Sequence, residues 1–378
     1  TGPAPGLLRE ILVPPPDVAE GAVWRSPLDG AELVFLAAAR VRVGCSELDR
    51  RCRRNEVFFR WAEIPALWVE KLEVTNARYQ ACVRAGGCRE PRDPERYRQP
   101  QRAAEPVVGV TWQQARDYAA WAGRELPSES QWERAARAGG DSGRFPWGNL
   151  RRQELANVWD ETTARLTGLS PAGSFPAPGP GLHDLAGSVW EWCGDRYRPG
   201  LKQLPADGGP NREGIGRVVR GGSWRRSIDL ARVSVRSWYD ESYSADDVGF
   251  RCVMPPAEAR SDAEVLAIAA RSFAPAPDPG GELEGAALSA EDRRYLERRA
   301  VTWLMLENRV GDAVLQAASL LRREQRDTVA LDLLDRVEGE LVAAARLGDL
   351  TSVDAVLAGL EQAAAVNSRY LRRRLEIT

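Results

Sequence analysis

The sequence predicts an α+β domain with little regular secondary structure, followed by an all-α helical domain. Three observations lead there. Two short apolar runs, ELVFLAAARVRVG from Glu32 and WVEKLEV from Trp68, read as strands. Three punctuated helical segments follow between Thr75 and Gly140, and residues 141–255 are then rich in Gly, Pro and Trp with only short apolar runs. After Pro255-Pro256 the texture turns to helical spacing, so loops wrapped on strands give way to helices.

In chain order, residues 1–29, with Pro14-Pro15-Pro16, predict a Pro-rich arm or linker, and the α+β domain spans 30–256. Its helices are marked by hydroxyl residues that accept the unpaired first-turn N–H groups and by glycines that leave through the left-handed region. Thr75 caps a helix stopping at Gly86-Gly87. Thr111 with Gln114 makes a capping box for a helix ending at Gly123, and Ser128 with Gln131 repeats it up to Gly139-Gly140. Residues 257–288 hold a short Ala-rich helix, 257–272, and the linker APAPDPGGELEG. The helical domain is 289–378. There Leu333, Val337 and Leu341 share one helix face, Val353, Val356, Leu357 and Leu360 share another, and Gly348-Asp349 separates them. This helical C-terminal domain either packs on itself and its neighbour or contacts a partner and self-associates.

Composition narrows the function. The 378 residues hold one histidine (His183), two methionines, and two lysines (Lys71 and Lys202) against fifty arginines. One histidine cannot build a three-histidine metal site, and a Ser-His-Asp arrangement could use only His183. No phosphate-binding G-x-x-x-x-G-K-[ST] run occurs. The excess of arginine over lysine reads as GC-rich codon usage rather than chemistry. A net charge of −2 argues against nucleic acid as partner, and the absence of a long uncharged apolar stretch argues against a membrane span. The first residues show no signal peptide, but the chain starts at Thr1 without methionine, which suggests a processed product or a piece of a longer polypeptide.

Six blocks in one order carry a resemblance: EVTNARYQACV, PVVGVTWQQARDYAAWAGRELPSESQWERAARAG, FPWGN, HDLAGSVWEW, RVVRGGSW and DVGFRCV. Together they resemble the formylglycine-generating enzyme / sulfatase-modifying factor family across about residues 30–255. The resemblance implies a C-type-lectin-like fold. In catalytic members two cysteines after Gly-Gly-Ser hold copper(I), a soft ion suited to thiolates, and a substrate cysteine is oxidised. After Gly221-Gly222-Ser223 those places fall at Arg226 and Ala231. A second branch uses iron held by three histidines, which one histidine forbids. No copper or iron is therefore expected. The reading is a non-catalytic module that recognises a protein or peptide, within a larger bacterial signalling or defence protein or system, since domains resembling this one are often fused to kinases or proteases. The alternative is an oxidoreductase with a non-standard site near Ser223, Asp229 or Asp240.

The resemblance also implies structural calcium, held by Asp184, Gly187, Val189 and Glu191 through two carboxylates and two carbonyls, as a hard cation prefers. Equally open is that Glu191 pairs with an arginine and Asp184 caps a turn. A weaker second site would use Asn157 and Val158, its acidic partner falling near Ala164-Arg165. For binding, Trp224, Arg225, Arg226, Arg232, Arg236, Trp238 and Tyr239 mix aromatics with fixed positive charge where the active site would lie, a combination suited to carboxylates. Alternatively, about half of these arginines pair with Asp240, Glu241, Asp246 or Asp247.

Cys45 with Cys52, and Cys82 with Cys88, are disulfide candidates, neither having zinc-knuckle spacing. As disulfides they imply an extracytoplasmic, oxidising location. As free thiols in an intracellular signalling system they imply the cytoplasm. A bridge between Cys193 and Cys252 is a further option.

Overall fold

Strands β1 (Val23–Arg25), β2 (Glu32–Leu36), β5 (Leu67–Glu70) and β10 (Val253–Met254) make an antiparallel sheet in the order β1-β2-β5-β10. Strands β3 (Ala39–Arg42) and β4 (Trp61–Ile64) pair separately. A second four-stranded sheet runs β8 (Ser237–Tyr239), β7 (Ile215–Arg220), β6 (Trp190–Tyr197), β9 (Val248–Gly249), with β6 and β9 parallel. The helices are α1 (Asn76–Arg84), α2 (Pro94–Tyr97), α3 (Trp112–Trp121), α4 (Glu129–Arg137) and α5 (Asp262–Ser272). This computed structural model describes residues 12–45, 49–57, 61–137, 143–159, 168–256 and 259–272, all within one unit, Leu12–Ser272. The predicted linker from residue 273 and the helical domain 289–378 lie outside the described residues. No helix among the described residues is long and apolar enough to cross a membrane.

The capping chemistry is where it was expected. Thr75 accepts from the Arg78 N–H, and the Thr111–Gln114 box is closed in both directions. Ser128 and Gln131 exchange hydrogen bonds of 3.0 and 2.8 Å at the start of α4. The strands depart from the expected runs. ELVFLAAARVRVG breaks at Ala37-Ala38 into β2 and β3, which join different sheets. Of WVEKLEV only Trp68–Glu70 belongs to a strand. Helix α2 is a single turn, capped by Asp93, whose side chain accepts from the Arg96 N–H at 3.1 Å. The expected arm at 1–29 contains β1, which pairs with β2, and the buried Leu12 and Val13, so the folded unit reaches well upstream of residue 30. The short C-terminal helix starts at Asp262, after a Ser261–Glu264 capping box. It belongs to the same unit because Val265 and Ile268 are buried, with Ile268 packed against Gly123.

The principal apolar core joins Val34, Leu36, Leu67, Val69 and Val253 of the first sheet to Trp132, Ala135 and Ala136 of α4 and to Val218 of β7. Arginines cross this interior. Arg124 is fully buried and grips Asp29 with both terminal nitrogens (2.8 and 2.7 Å) and Glu70 with one (2.5 Å). Arg220 reaches Glu133 at 2.5 Å, Arg236 forks onto Glu129 (2.5 and 2.8 Å), and Arg232 forks onto Glu56 (2.8 and 3.1 Å) while also pairing with Asp49. Lysine cannot do this, because an ammonium lacks the planar fork and is more strongly hydrated. Codon usage alone therefore does not describe the arginine excess.

A buried pair contributes little net stability, but its removal from one side leaves an uncompensated charge. Replacing Arg232 by Met should lower the urea-unfolding free energy by about 3–5 kcal/mol, and Arg232→Lys should fall between the two. A loss below about 1 kcal/mol for Arg232→Met would show that water reaches Glu56 and Asp49.

Candidate functional site

The segment after β7 turns back on itself. Gly221 and Gly222 both adopt positive φ (95° and 78°), and a side-chain carbon on Gly222 would stand 3.0 Å from the Ala231 backbone. Only glycine allows this approach. Ser223 is buried and donates to Asp247 at 2.8 Å. Arg226 is exposed, 4.0 Å from Asp247, and hydrogen bonds to Tyr239. Ala231 is fully buried in a cluster with Phe145, Ala156, Val158, Ala186 and Ile228. Neither position corresponding to a copper-binding cysteine presents a ligand for a soft metal. Among the other suggested reactive groups, Asp229 pairs with Arg51 and Arg151, while Asp240 is exposed and held low by hydrogen bonds from Ser242.

The seven residues expected to form one binding surface do not. Arg232 and Arg236 are buried (1% and 4% exposed), consumed by Glu56 and Glu129, so they belong to the interior. Trp224 is 6% exposed, donates from Nε1 to the Asp246 carbonyl at 3.1 Å, and serves as a platform for Arg225, whose guanidinium lies 4.4 Å from its ring. Arg225 itself pairs with Asp246. Strand alternation separates the last two. Trp238 lies against Tyr197 and Tyr239 lies against Trp192, as consecutive residues point to opposite faces of β8. What remains together is Arg225, Arg226 and Tyr239, joined by Tyr243, which stacks on Tyr239 at 4.3 Å and is 39% exposed. Tyr243 was not singled out from sequence, since its stacking is created by the turn after β8. Beside this face lies a groove of about 550 Å³, lined by Asn76, Arg92, Arg96, Tyr97, Tyr243 and Asp246 among others.

Of the expected calcium ligands, Asp184, Gly187 and Val189 lie in a tight turn before β6, and Glu191 is the second residue of β6 itself. Asp184 and Ser188 have positive φ (57° and 58°), and Gly187 (81°) abuts Asn157, whose carbonyl oxygen would be 2.3 Å from any added side-chain carbon. Asp184 accepts from the Gly173 N–H through one oxygen, while its other oxygen, Oδ1, is buried without a partner. Glu191 departs from the expected quartet. Its two oxygens are taken by a fork from Arg251 (2.7 and 2.8 Å), and one also accepts from Trp132 Nε1 at 2.7 Å. That is the arginine pairing left open from sequence. The residue missed was Glu73, in the EVTN block. It is fully buried, no arginine or lysine forms an ion pair with it among the described residues, and burial followed by the nearby Asp184 charge pushes its carboxyl well above the usual range, against a hydrogen bond with Ser188. An acid amid apolar residues was the only signal. Val189 is buried, the Asn157 amide donates to the Gly168 carbonyl (2.9 Å), and Val158 lies in the cluster around Ala231. Ala164-Arg165, the place of a partner for the second site, falls outside the described residues.

This geometry and the ordered motif blocks agree with a comparison to known proteins. Residues 22–256 match the Sulfatase-modifying factor enzyme 1-like domain. The chain belongs to the sulfatase-modifying factor family. It is 38% identical over 169 residues to a formylglycine-generating enzyme of Thermomonospora curvata, covering 40% of this chain and 56% of that one. It is 36% identical over 170 residues to the inactive C-alpha-formylglycine-generating enzyme 2 of Mus musculus, covering 42% and 51%. The chain thus spans about half the length of the curated relatives it matches. The structure of PvdO from Pseudomonas aeruginosa shares the fold, with a TM-score of 0.54 at 24% identity over 63% of this chain and 99% of that one.

Within this sulfatase-modifying factor domain the cysteines stand apart from the Gly-Gly-Ser segment's expected metal positions. Cys45 is joined to Cys52 and Cys82 to Cys88. Cys193 and Cys252 are separate buried free thiols, both pushed well above their usual pKa chiefly by burial. The reduced Cys45 and Cys52 sulfurs with Glu56 would be the one group of three candidate metal ligands among the described residues.

Asp195 on β6 is a pH-sensitive group of the domain's interior. It is buried and accepts from the backbone N–H groups of Glu129 (2.7 Å) and Asn211 (2.8 Å), while burial, then the Glu129 charge, pushes its carboxyl up to about 7 from 3.8. Between those two values the folded state holds a proton that the unfolded state has lost, so stability falls as pH rises through the window and levels off above it. Asp29 and Glu129, held low by arginines against the opposing effect of burial, act in the opposite sense and only toward acid. Urea unfolding in chelator should therefore show a decline of up to about 1.4 kcal/mol per pH unit from this one group. Asp195→Ala should be less stable throughout, since two N–H groups lose their acceptor, yet show a flatter slope.

Proposed function

We propose that this chain is a non-catalytic recognition module of the sulfatase-modifying factor family, binding a protein or peptide at the Arg225, Arg226, Tyr239 and Tyr243 face and its adjoining groove. The observation carrying this reading is the filled Gly-Gly-Ser segment: an arginine tied toward Asp247 and a packed alanine stand where copper thiolates would be needed. The mouse relative described as inactive supports it. Guanidinium groups beside stacked tyrosines suit a partner that offers carboxylates or backbone carbonyls. The segment beyond residue 288 would couple binding to a signalling or defence partner, and the two disulfides favour an extracytoplasmic setting.

Stoichiometric copper or iron by elemental analysis, together with oxygen consumption on thiol peptides, would overturn this reading in favour of an oxidoreductase. The expected outcome is neither metal and no turnover. In a pull-down, Arg226→Glu with Tyr239→Ala should lose the partner retained by the unaltered chain; equal retention would place recognition elsewhere.

For calcium, the carboxylates of Asp184 and Glu73, outside every described ion pair, fit a hard cation better than Glu191, which Arg251 already neutralises. On this reading calcium would neutralise the buried Glu73 and Asp184 charges and brace the turn without entering any chemical step. Added calcium should raise the thermal midpoint by about 2–4 °C, and Glu73→Gln should remove most of that rise while stabilising the calcium-free protein. An unchanged midpoint in the unaltered chain would exclude the ion.

A further inference from the structure

A second groove, of about 630 Å³, lies between α3, the β6–β7 end of the second sheet and α5, and residues 223–232 do not line it. Its charge is one-sided. Arg116, Arg196, Arg212 and Arg217 all line the groove. One carboxylate, Glu241, answers two of them, receiving Arg196 at 2.5 Å and Arg217 at 2.9 Å. Arg116 and Arg212 are exposed and have no acidic partner among the described residues. Glu125 and Glu264 also line it, and both act on Arg260, a further lining residue.

Three of the cations, Arg116, Arg196 and Arg217, are held in place. Trp112 is anchored by a 2.8 Å hydrogen bond from Nε1 to the Cys193 carbonyl, and its ring carries Arg217 at 3.5 Å from the centroid and Arg116 at 5.5 Å. Arg217 is further held by donation to the Gly194 carbonyl at 2.9 Å. Preorganised guanidinium forks match carboxylates in two-point contacts. Apolar stretches of wall lie among these charges: Ala119, Ala120, Ala267, Ile268 and Pro210 line the same space. A bare anion would leave that wall uncovered, and an apolar peptide would leave the guanidiniums unanswered.

We propose that this groove binds an extended acidic peptide segment of a partner protein, its carboxylates on Arg116, Arg212 and the Arg196–Arg217 pair and its apolar side chains against α5. The site is separate from the Tyr239 face and does not depend on the reading given to that face.

The test uses the full chain and a fluorescent peptide alternating Glu and Leu, followed by anisotropy. The expected result is binding that weakens with salt and falls by roughly tenfold or more in Arg116→Glu/Arg212→Glu, while Arg152→Glu, an exposed charge reversal lining neither groove, leaves it unchanged. Both arginines are exposed and outside every described ion pair, so the fold should persist, as circular dichroism would check. No binding of the Glu peptide, equal binding of its Gln counterpart, or an unchanged affinity in the double variant would overturn the proposal. Displacement of the peptide by inorganic phosphate at the same concentration would do so too, showing a simple anion site.

Discussion

Arg251, with no solvent exposure, closes on both oxygens of Glu191 and on the backbone carbonyls of Glu70, Lys71 and His183. That one guanidinium ties the start of β6 to the end of β5 and to the turn carrying Asp184. Glu191 passes the constraint on through Trp132 to α4, which is bound in turn to β7 by Arg220 and Glu133. A site with so few regular elements needs such ties, because backbone hydrogen bonds alone do not fix long loops relative to one another. The same tie sets the positive charge of Arg251 against the Glu191 carboxylate.

The loop-rich middle is organised by opposites that meet far apart in sequence. Arg236 with Glu129, Arg232 with Glu56 and Arg124 with Asp29 are each two-point contacts buried between elements. Their energetic meaning is specificity more than strength. The desolvation of both charges nearly cancels their attraction, but a wrong register would strand one of them. The charged groups outside every described ion pair are then informative by contrast: Glu73 and Asp184 in the interior, Arg116 and Arg212 at the surface.

The helices were legible because their signals are local: a hydroxyl, a glutamine three residues on, and a glycine at the far end. The strands were less so, since the break between β2 and β3 depends on which sheet covers which face. The motif blocks located the Gly-Gly-Ser segment and the turn at Asp184 correctly. They did not reveal that Arg232 and Arg236 point inward, as burial of an arginine depends on a carboxylate more than a hundred residues away. Nor could alternation on β8 be read before its three-residue length and register were known.

Asp29 belongs to a stretch that composition marks as an arm, yet it receives Arg124, Arg78 and the Tyr118 hydroxyl in a site without solvent. The working edge of this domain is therefore set by electrostatic neutrality, not by where regular structure begins. A chain begun at residue 30 would keep nine of the ten strands, lacking only β1, and would still confront Arg124 and Arg78 with Glu70 alone. Two guanidiniums sharing one carboxylate in the dark interior would draw water in along α3, and the sheet edge at β2 would open with it.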